Sequence, residues 1–390
     1  INLQLGSGNF TLAAWIKPGE GPAGTDYGYV GGGYVGPART STVDRIDYSS
    51  DTPTASPKGP LTVARNTGSA ISSVSYGYFA GGYTGSNHSM VDRLDYSSDT
   101  TAAAPKGPLS GTRTGGAPVG NKSYGYCATG RWEGSNNSNI DRIDYSSDTS
   151  TALLKGNATS AKWCQQDAIA TQSYGYWAGG FPSSTADTID RLDYSNDTAT
   201  ALARGPLGEQ TKYGSGVSGE DYGYFAGGNH PAGAKSWIQR LDFSSDTTET
   251  VMKGSLTAVR YSTTGTGNAS YGWVGGGRDP STSAFSTVDR IDYSSDTSTA
   301  SARGPLSVAK ETCFACSSRE NGLPTTAQSD NQGIISYSDT AGEENDTTCQ
   351  LDVNSDGKIK FSGAAGIVTS TSSPTVDTWS HAAVTRTDNT

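Results

Sequence analysis

The chain is poor in the residues that carry acid–base and metal chemistry. Its 390 residues include three histidines, His88, His230 and His381, and only two methionines. The five cysteines, Cys127, Cys164, Cys313, Cys316 and Cys349, are odd in number and scattered, which excludes a disulfide framework. Cys313 and Cys316 form a C-x-x-C inside the strand-like "ETCFACSS". Residues three apart on a strand point to opposite faces and no second C-x-x-C exists, so buried free thiols are expected rather than zinc ligands. No G-x-S-x-G, H-E-x-x-H or phosphate loop is present. No run approaches 18 apolar residues, so no membrane-spanning helix is expected. No signal or transit segment is visible, and an opening "INLQLGSGNF" without Met reads as a piece of a longer or processed protein. A net charge of −10 argues against binding nucleic acid or an anionic membrane through bulk charge.

What the chain has is glycine, 51 of them, and 21 tyrosines, with aromatic and β-branched residues recurring regularly. The tripeptide "YGY" or a variant begins at Tyr27, Tyr76, Tyr124, Tyr174, Tyr222 and Tyr271, a period close to fifty residues. Each unit runs in one order. An aromatic strand ends in Gly-Gly; a variable loop leads to "VDRIDY"; "SSDT" precedes a small-residue strand with a "KGPL"-type turn. A basic residue (Arg65, Arg113, Lys162, Lys212, Arg260, Lys310) then introduces a final strand. Four strands per fifty residues predict a propeller blade, and six units predict six blades.

The strand ends "YGYFAGG" at 76–82 and 222–228, the "VDRID" strand and the basic residue together resemble the kelch propellers. The resemblance spans residues 24–322. Three features depart from it. Ile or Leu stands where kelch has Tyr before the Asp, small residues such as Ala55, Ala103 and Ala201 replace the fourth-strand Trp, and unit three reads "YGYCATG", so Gly130 lacks its preceding Gly. Unit one lacks the strand that precedes "YGY" elsewhere, and residues 311–318 supply one, so that strand is expected to close the first blade. Residues 1–20, with "FTLAAWIKP", and 325–390, with "DGKIKF" and "TWSHAAVTR", resemble a laminin G or concanavalin A-like jelly roll. The expected fold is therefore all-β: a six-bladed kelch-like propeller inserted into a split β-sandwich that is incomplete at Thr390.

No catalytic constellation emerges, and a non-enzymatic protein is expected. Asp352, Asn354 and Asp356 begin a calcium-loop pattern, but Gly363 stands where the closing Glu belongs. An Asp-Gly hairpin is favoured, with calcium a minority alternative and no other cofactor. The six Asp-Arg strings put Arg45/Asp47, Arg93/Asp95, Arg142/Asp144, Arg191/Asp193, Arg240/Asp242 and Arg290/Asp292 on one strand face each. Each Arg and Asp is expected to pair with the other or to bond turns of its own or an adjacent blade. Six equal copies cannot converge on one ligand, so a structural role is expected. Gln239 replaces the first acid in unit five. The loops after Gly-Gly vary and share one face, which suggests recognition. Arg39, His88, Trp132, Glu133, His230, Trp237, Arg278 and Phe285 are the candidate ligand-binding residues there.

The combination also resembles structural proteins of aquatic tailed bacteriophages. That resemblance implies a virion-surface appendage, a tail or capsid fibre, binding host glycans or other virion proteins as a homo-oligomer or part of a larger assembly. The alternative is an extracellular microbial adhesin or fibril subunit, glycosylated at some of eight N-x-S/T sequons. A carbohydrate-active enzyme is a third, weaker reading.

Overall fold

The computed structural model describes residues 26–132, 134–163, 167–182, 187–281 and 283–318 in full. It also describes the backbone of six flanking strands, Phe10–Ile16, Gln332–Tyr337, Cys349–Val353, Ile359–Gly363, Gly366–Thr369 and Ser380–Arg386. The chain separates into two compact units, Thr25–Pro324 and the two flanks together.

The larger unit is an all-β propeller of six antiparallel sheets. Blade 2 shows the pattern, from the axis outward: Ser69–Ser72, Tyr76–Ala80, Val91–Asp95 and Ala104–Lys106. Blade 1 takes its innermost strand from the far end of the unit. Phe314–Ser317 pairs antiparallel with Tyr27–Gly31, with Ala315 opposite Val30. The innermost strands turn small residues to the axis because six of them crowd it, and send larger ones such as Ile71 and Phe314 into the inter-blade core. Ala70, Pro118, Ala168, Gly216, Gly265 and Ala315 line the narrow channel, with Ser72, Ser218 and Ser317 further along. Among the described residues no helix is long and apolar enough to cross a membrane.

The core lies between blades, as six clusters. Between blades 1 and 2, Tyr29, Val43 and Phe314 pack against Phe79, Leu94 and Tyr96. Between blades 6 and 1, Trp273 and Val288 pack against Val30, Ile46 and Tyr48. Each junction also carries one stacked aromatic pair, from Tyr29–Tyr96 at 5.1 Å to Tyr48–Trp273 at 4.1 Å. Such pairs contribute about 1 kcal/mol beyond the area they bury. The Gly of "YGY" lets the preceding blade come this close: a Cβ on Gly28 would stand 2.6 Å from the Thr266 methyl.

The Gly-Gly pair follows conformational need. Gly32 and Gly33 have φ of +61° and +108°, and the other pairs match. In blade 3 the first position is Thr129, held at φ +59°, fully buried and with its hydroxyl unpartnered. A β-branched residue there is strained. Thr129→Gly should therefore stabilise the protein by about 1 kcal/mol, read as a raised midpoint in thermal unfolding.

The second unit contains two sheets. Phe10–Ile16 pairs antiparallel with Ser380–Arg386, Trp15 opposite His381, so strands from the two ends of the chain meet. The strands from Gln332 to Thr369 form a four-stranded meander. Cys349–Val353 and Ile359–Gly363 are neighbours in it, with Val353 opposite Ile359. Of the calcium-loop residues, Asp352 lies on the first of these strands, and Asn354 and Asp356 lie outside the described residues.

Candidate functional site

Most of the repeated charges are consumed by the ring. Arg45 does not pair with Asp47. Its Nη1 donates to Asp99 Oδ2 of the next blade at 2.8 Å, while its guanidinium stacks 4.1 Å from the Tyr27 ring. Tyr29 donates its hydroxyl to the same oxygen (3.0 Å), and Lys58 Nζ stands 3.5 Å from the other. Burial and the Asp99 carboxylate push the Tyr29 phenol upward in pKa, so it remains a donor. The arrangement recurs at Asp148, Asp197, Asp246 and Asp296, each taking an Arg from the preceding blade. At Asp51 it closes the ring, with Trp273 Nε1 and Arg290 donating from blade 6. The "SSDT" aspartate is thus an inter-blade acceptor as well as a turn residue.

The second Asp of each string serves its own turn. Asp47 Oδ1 accepts from the Ser49 amide (3.0 Å) and hydroxyl (2.6 Å), and Asp95, Asp144, Asp193, Asp242 and Asp292 do likewise. This is an Asx cap, on a single helical turn in blades 2 to 6 and on a plain turn in blade 1.

The first Asp pairs with the basic residue in a wholly buried site. Arg65–Asp92 is 2.7 Å, Arg113–Asp141 2.9 Å, Lys162–Asp190 2.9 Å, Arg260–Asp289 3.0 Å and Lys310–Asp44 3.1 Å. Blade 5 corrects one assignment. The Arg65 carbonyl accepts from Gly33 N, and its counterpart accepting from Gly180 N belongs to Thr211, not Lys212. Lys212 has moved one position out of the core, and Gln239 has replaced the acid. The buried charges are lost together, leaving a neutral pair. Gln239 Oε1 accepts from Glu209 N, and its Nε2 donates to Glu209 O.

One buried acid has no such partner among the described residues. Asp167 is fully buried and accepts from Gly214 N at 3.2 Å; desolvation raises its pKa well above the usual carboxylate range. A raised carboxyl favours the folded state fully only below its unfolded pKa near 4, and that contribution is lost as pH rises through the folded value. Asp167→Asn should therefore stabilise the protein at pH 7 and flatten the decline in stability between about pH 4 and neutrality, as followed by urea unfolding at several pH values.

Cys313 and Cys316 face different blade junctions, in separate core clusters. Burial pushes their thiols up to about 11 and about 12.

The loop face carries what does not repeat. The candidate residues lie one or two to a blade on every blade but the fourth, and the described ones are not gathered into one pocket. His88 is tied to its own hairpin, with Nε2 2.5 Å from Thr84 Oγ1. Trp132 lies flat on Gly111, where any Cβ would collide with the ring. His230 and Trp237 meet edge to face at 5.3 Å, and Glu209 stands 3.5 Å from the imidazole. Arg278 pairs with Glu311 at 3.3 Å. Phe285 is half-buried and bonded through its backbone to Gly277. Glu133 lies outside the described residues. Of the eight, Arg39 is the one set between two rings, 5.2 Å from Tyr34 and 4.8 Å from Tyr83.

Sequence reasoning missed other side chains of the loop face. They occupy the position after each Gly-Gly and the position after each buried base, which bridge each other: Tyr83 with Asn66, Arg131 with Thr114, Phe181 with Trp163, and Tyr261 with Arg278, the one predicted residue among them. Trp163 meets Tyr213 edge to face at 5.4 Å, and Arg131 stands 5.6 Å from the Trp163 ring. A cleft of about 460 Å³ opens beside them, lined by Tyr83, Asn87, Thr112 and Arg131. The signal for these positions is their fixed offset from Gly-Gly. No protein-family model matches the chain, and no curated protein matches it.

Proposed function

We propose that this chain is a non-enzymatic adhesion module of a phage virion appendage, a tail or capsid fibre, that binds host-surface glycans. The propeller is read as kelch-like and inserted in a laminin G-like lectin sandwich. One observation carries the binding reading: the repeated charges hold blades together, while the unrepeated loop face presents aromatic rings beside cations and amides. Aromatic faces next to polar groups suit sugar rings. A place in a larger assembly is supported by the outer strands. Leu153, Leu154, Leu202, Val251 and Met252 are exposed on three adjacent blades, whereas blades 1, 2 and 6 carry Ser56-Pro57, Ala104-Pro105 and Ser301-Ala302 at the same register. Apolar rims of this kind mark contact surfaces.

Two tests address this reading. An antibody to the chain should decorate intact virions. Labelling of a cell surface or secreted fibril instead, with glycan mass at the exposed sequons Asn157 and Asn196, would favour the alternative adhesin. The full chain should bind immobilised bacterial surface polysaccharides without releasing reducing ends; release would overturn the non-enzymatic reading.

A further inference from the structure

The loop face differs from the rest of the propeller in how its cations are partnered. Every repeated Arg of the third strands meets an aspartate of the next blade. On the loop face Arg278 has Glu311. Arg39, Arg131, Lys212 and Lys235, the last 4.8 Å from the Trp237 ring, have no acid partner among the described residues. Each is instead placed against a ring. Arg39 lies between Tyr34 and Tyr83, its Nε donating to Asn66 Oδ1 at 3.2 Å. Arg131 is exposed beside Trp163, its Nη2 donating to Gly134 O at 2.8 Å. Lys212 stands 5.6 Å from Phe181 and 5.8 Å from Tyr213.

A ring positions a cation without neutralising it. A cation–π contact at an exposed site contributes about 0.5–1 kcal/mol and leaves the charge available. A guanidinium held by one hydrogen bond keeps donors free for a carboxylate or sulfate, which it grips more strongly than a neutral oxygen. The ring beside it offers a face for the sugar carrying that acid. Three of these stations sit at different junctions: Arg39 between blades 1 and 2, Arg131 between 3 and 4, Lys212 between 4 and 5. A single sugar can occupy one of them, whereas a polymer with an acid on successive units can engage several, and its affinity then rises by linkage.

We propose that the loop face binds an acidic polysaccharide, its carboxylate or sulfate groups taken by Arg39, Arg131 and Lys212 and its sugar rings by the adjoining aromatics. This rests on the carbohydrate-binding reading above and assigns the ligand class. An overall charge of −10 would repel a polyanion at long range, so binding requires local cations such as these.

The test uses the full chain and defined probes: polygalacturonate, alginate, hyaluronan and chondroitin sulfate decamers, carboxyl-reduced polygalacturonate, dextran, oligo-dT and free galacturonate. At least one acidic decamer should bind roughly tenfold or more tighter than the neutral polymers, oligo-dT and the free sugar. R39Q/R131Q/K212Q should lose roughly that factor while still unfolding in one cooperative thermal transition. Equal binding of reduced and acidic polymer, full binding by the triple variant, or equal binding of oligo-dT would overturn the proposal. Neutral glycans binding alone, with loss on Phe181→Ala, would remove the acidic class and leave the carbohydrate reading standing. Binding to no glycan would remove both.

Discussion

Asp92→Asn should destabilise the propeller by about 3–5 kcal/mol, because it strands the Arg65 guanidinium in a site with no access to water. Both side chains are fully buried, and Asp92 also accepts from the Thr62 amide and hydroxyl. A loss of that size is a large share of a folded domain's net stability. The double variant Arg65→Thr/Asp92→Gln should recover most of it, to within about 2 kcal/mol of the parent, since removing both charges removes the stranded one. Blade 5 already carries that solution in Thr211 and Gln239. Urea unfolding of the single and double variants measures the difference. A double variant no better than Asp92→Asn would show that the ion pair itself, and not the avoidance of a lone buried charge, holds the blade.

The second large effect is expected at the glycine of "KGPL". Gly59 N donates to Asp99 O of the next blade at 2.8 Å, and Ala103 N donates back to Pro60 O at 2.9 Å. A Cβ on Gly59 would overlap the Thr101 carbonyl oxygen, a backbone atom that no side-chain rotation can clear. The same approach recurs at Gly107, Gly156, Gly205, Gly254 and Gly304. Gly59→Ala should cost about 3 kcal/mol or more, at the upper end of overpacking penalties. Gly36→Ala is the control. Gly36 has φ +57°, but a methyl group there would meet nothing within 4 Å. Its substitution should cost only about 1 kcal/mol of backbone strain. Thermal unfolding of the two variants side by side separates the two causes.

These cases show what the sequence made legible. Six blades were readable because "YGY" and "VDRID" each mark a strand, and a strand's alternation is a local property. Which residues share a face of the "VDRID" strand was also local: Ile46 and Tyr48 pack toward blade 6, while Arg45 looks toward blade 2. What Arg45 meets was not local. Asp47 is two residues away but its carboxylate is taken by Ser49, whereas Asp99 is 54 residues away and in reach. "SSDT" and "KGPL" read as turns because Ser, Asp, Gly and Pro favour turns, and that reading hid their contact with the neighbouring blade. In blade 5 a one-residue offset put Lys212 in the basic series, and only the hydrogen bond from Gly180 reveals Thr211 in that place. The candidate loop residues were chosen by type. Hairpin geometry then decided that Trp132 lies on Gly111 and that Trp163 is bridged to Phe181 and meets Tyr213 edge to face.

The charges of the repeated string are joints between blades and not a site. A pair of double-mutant cycles tests this directly. Arg45→Met with Asp99→Asn should show a coupling energy of about 1–3 kcal/mol, as residues in one hydrogen-bonded network do. Arg45→Met with Asp47→Asn, neighbours on one strand, should couple by less than about 0.5 kcal/mol. Strong coupling within the strand and none across the blades would contradict the account.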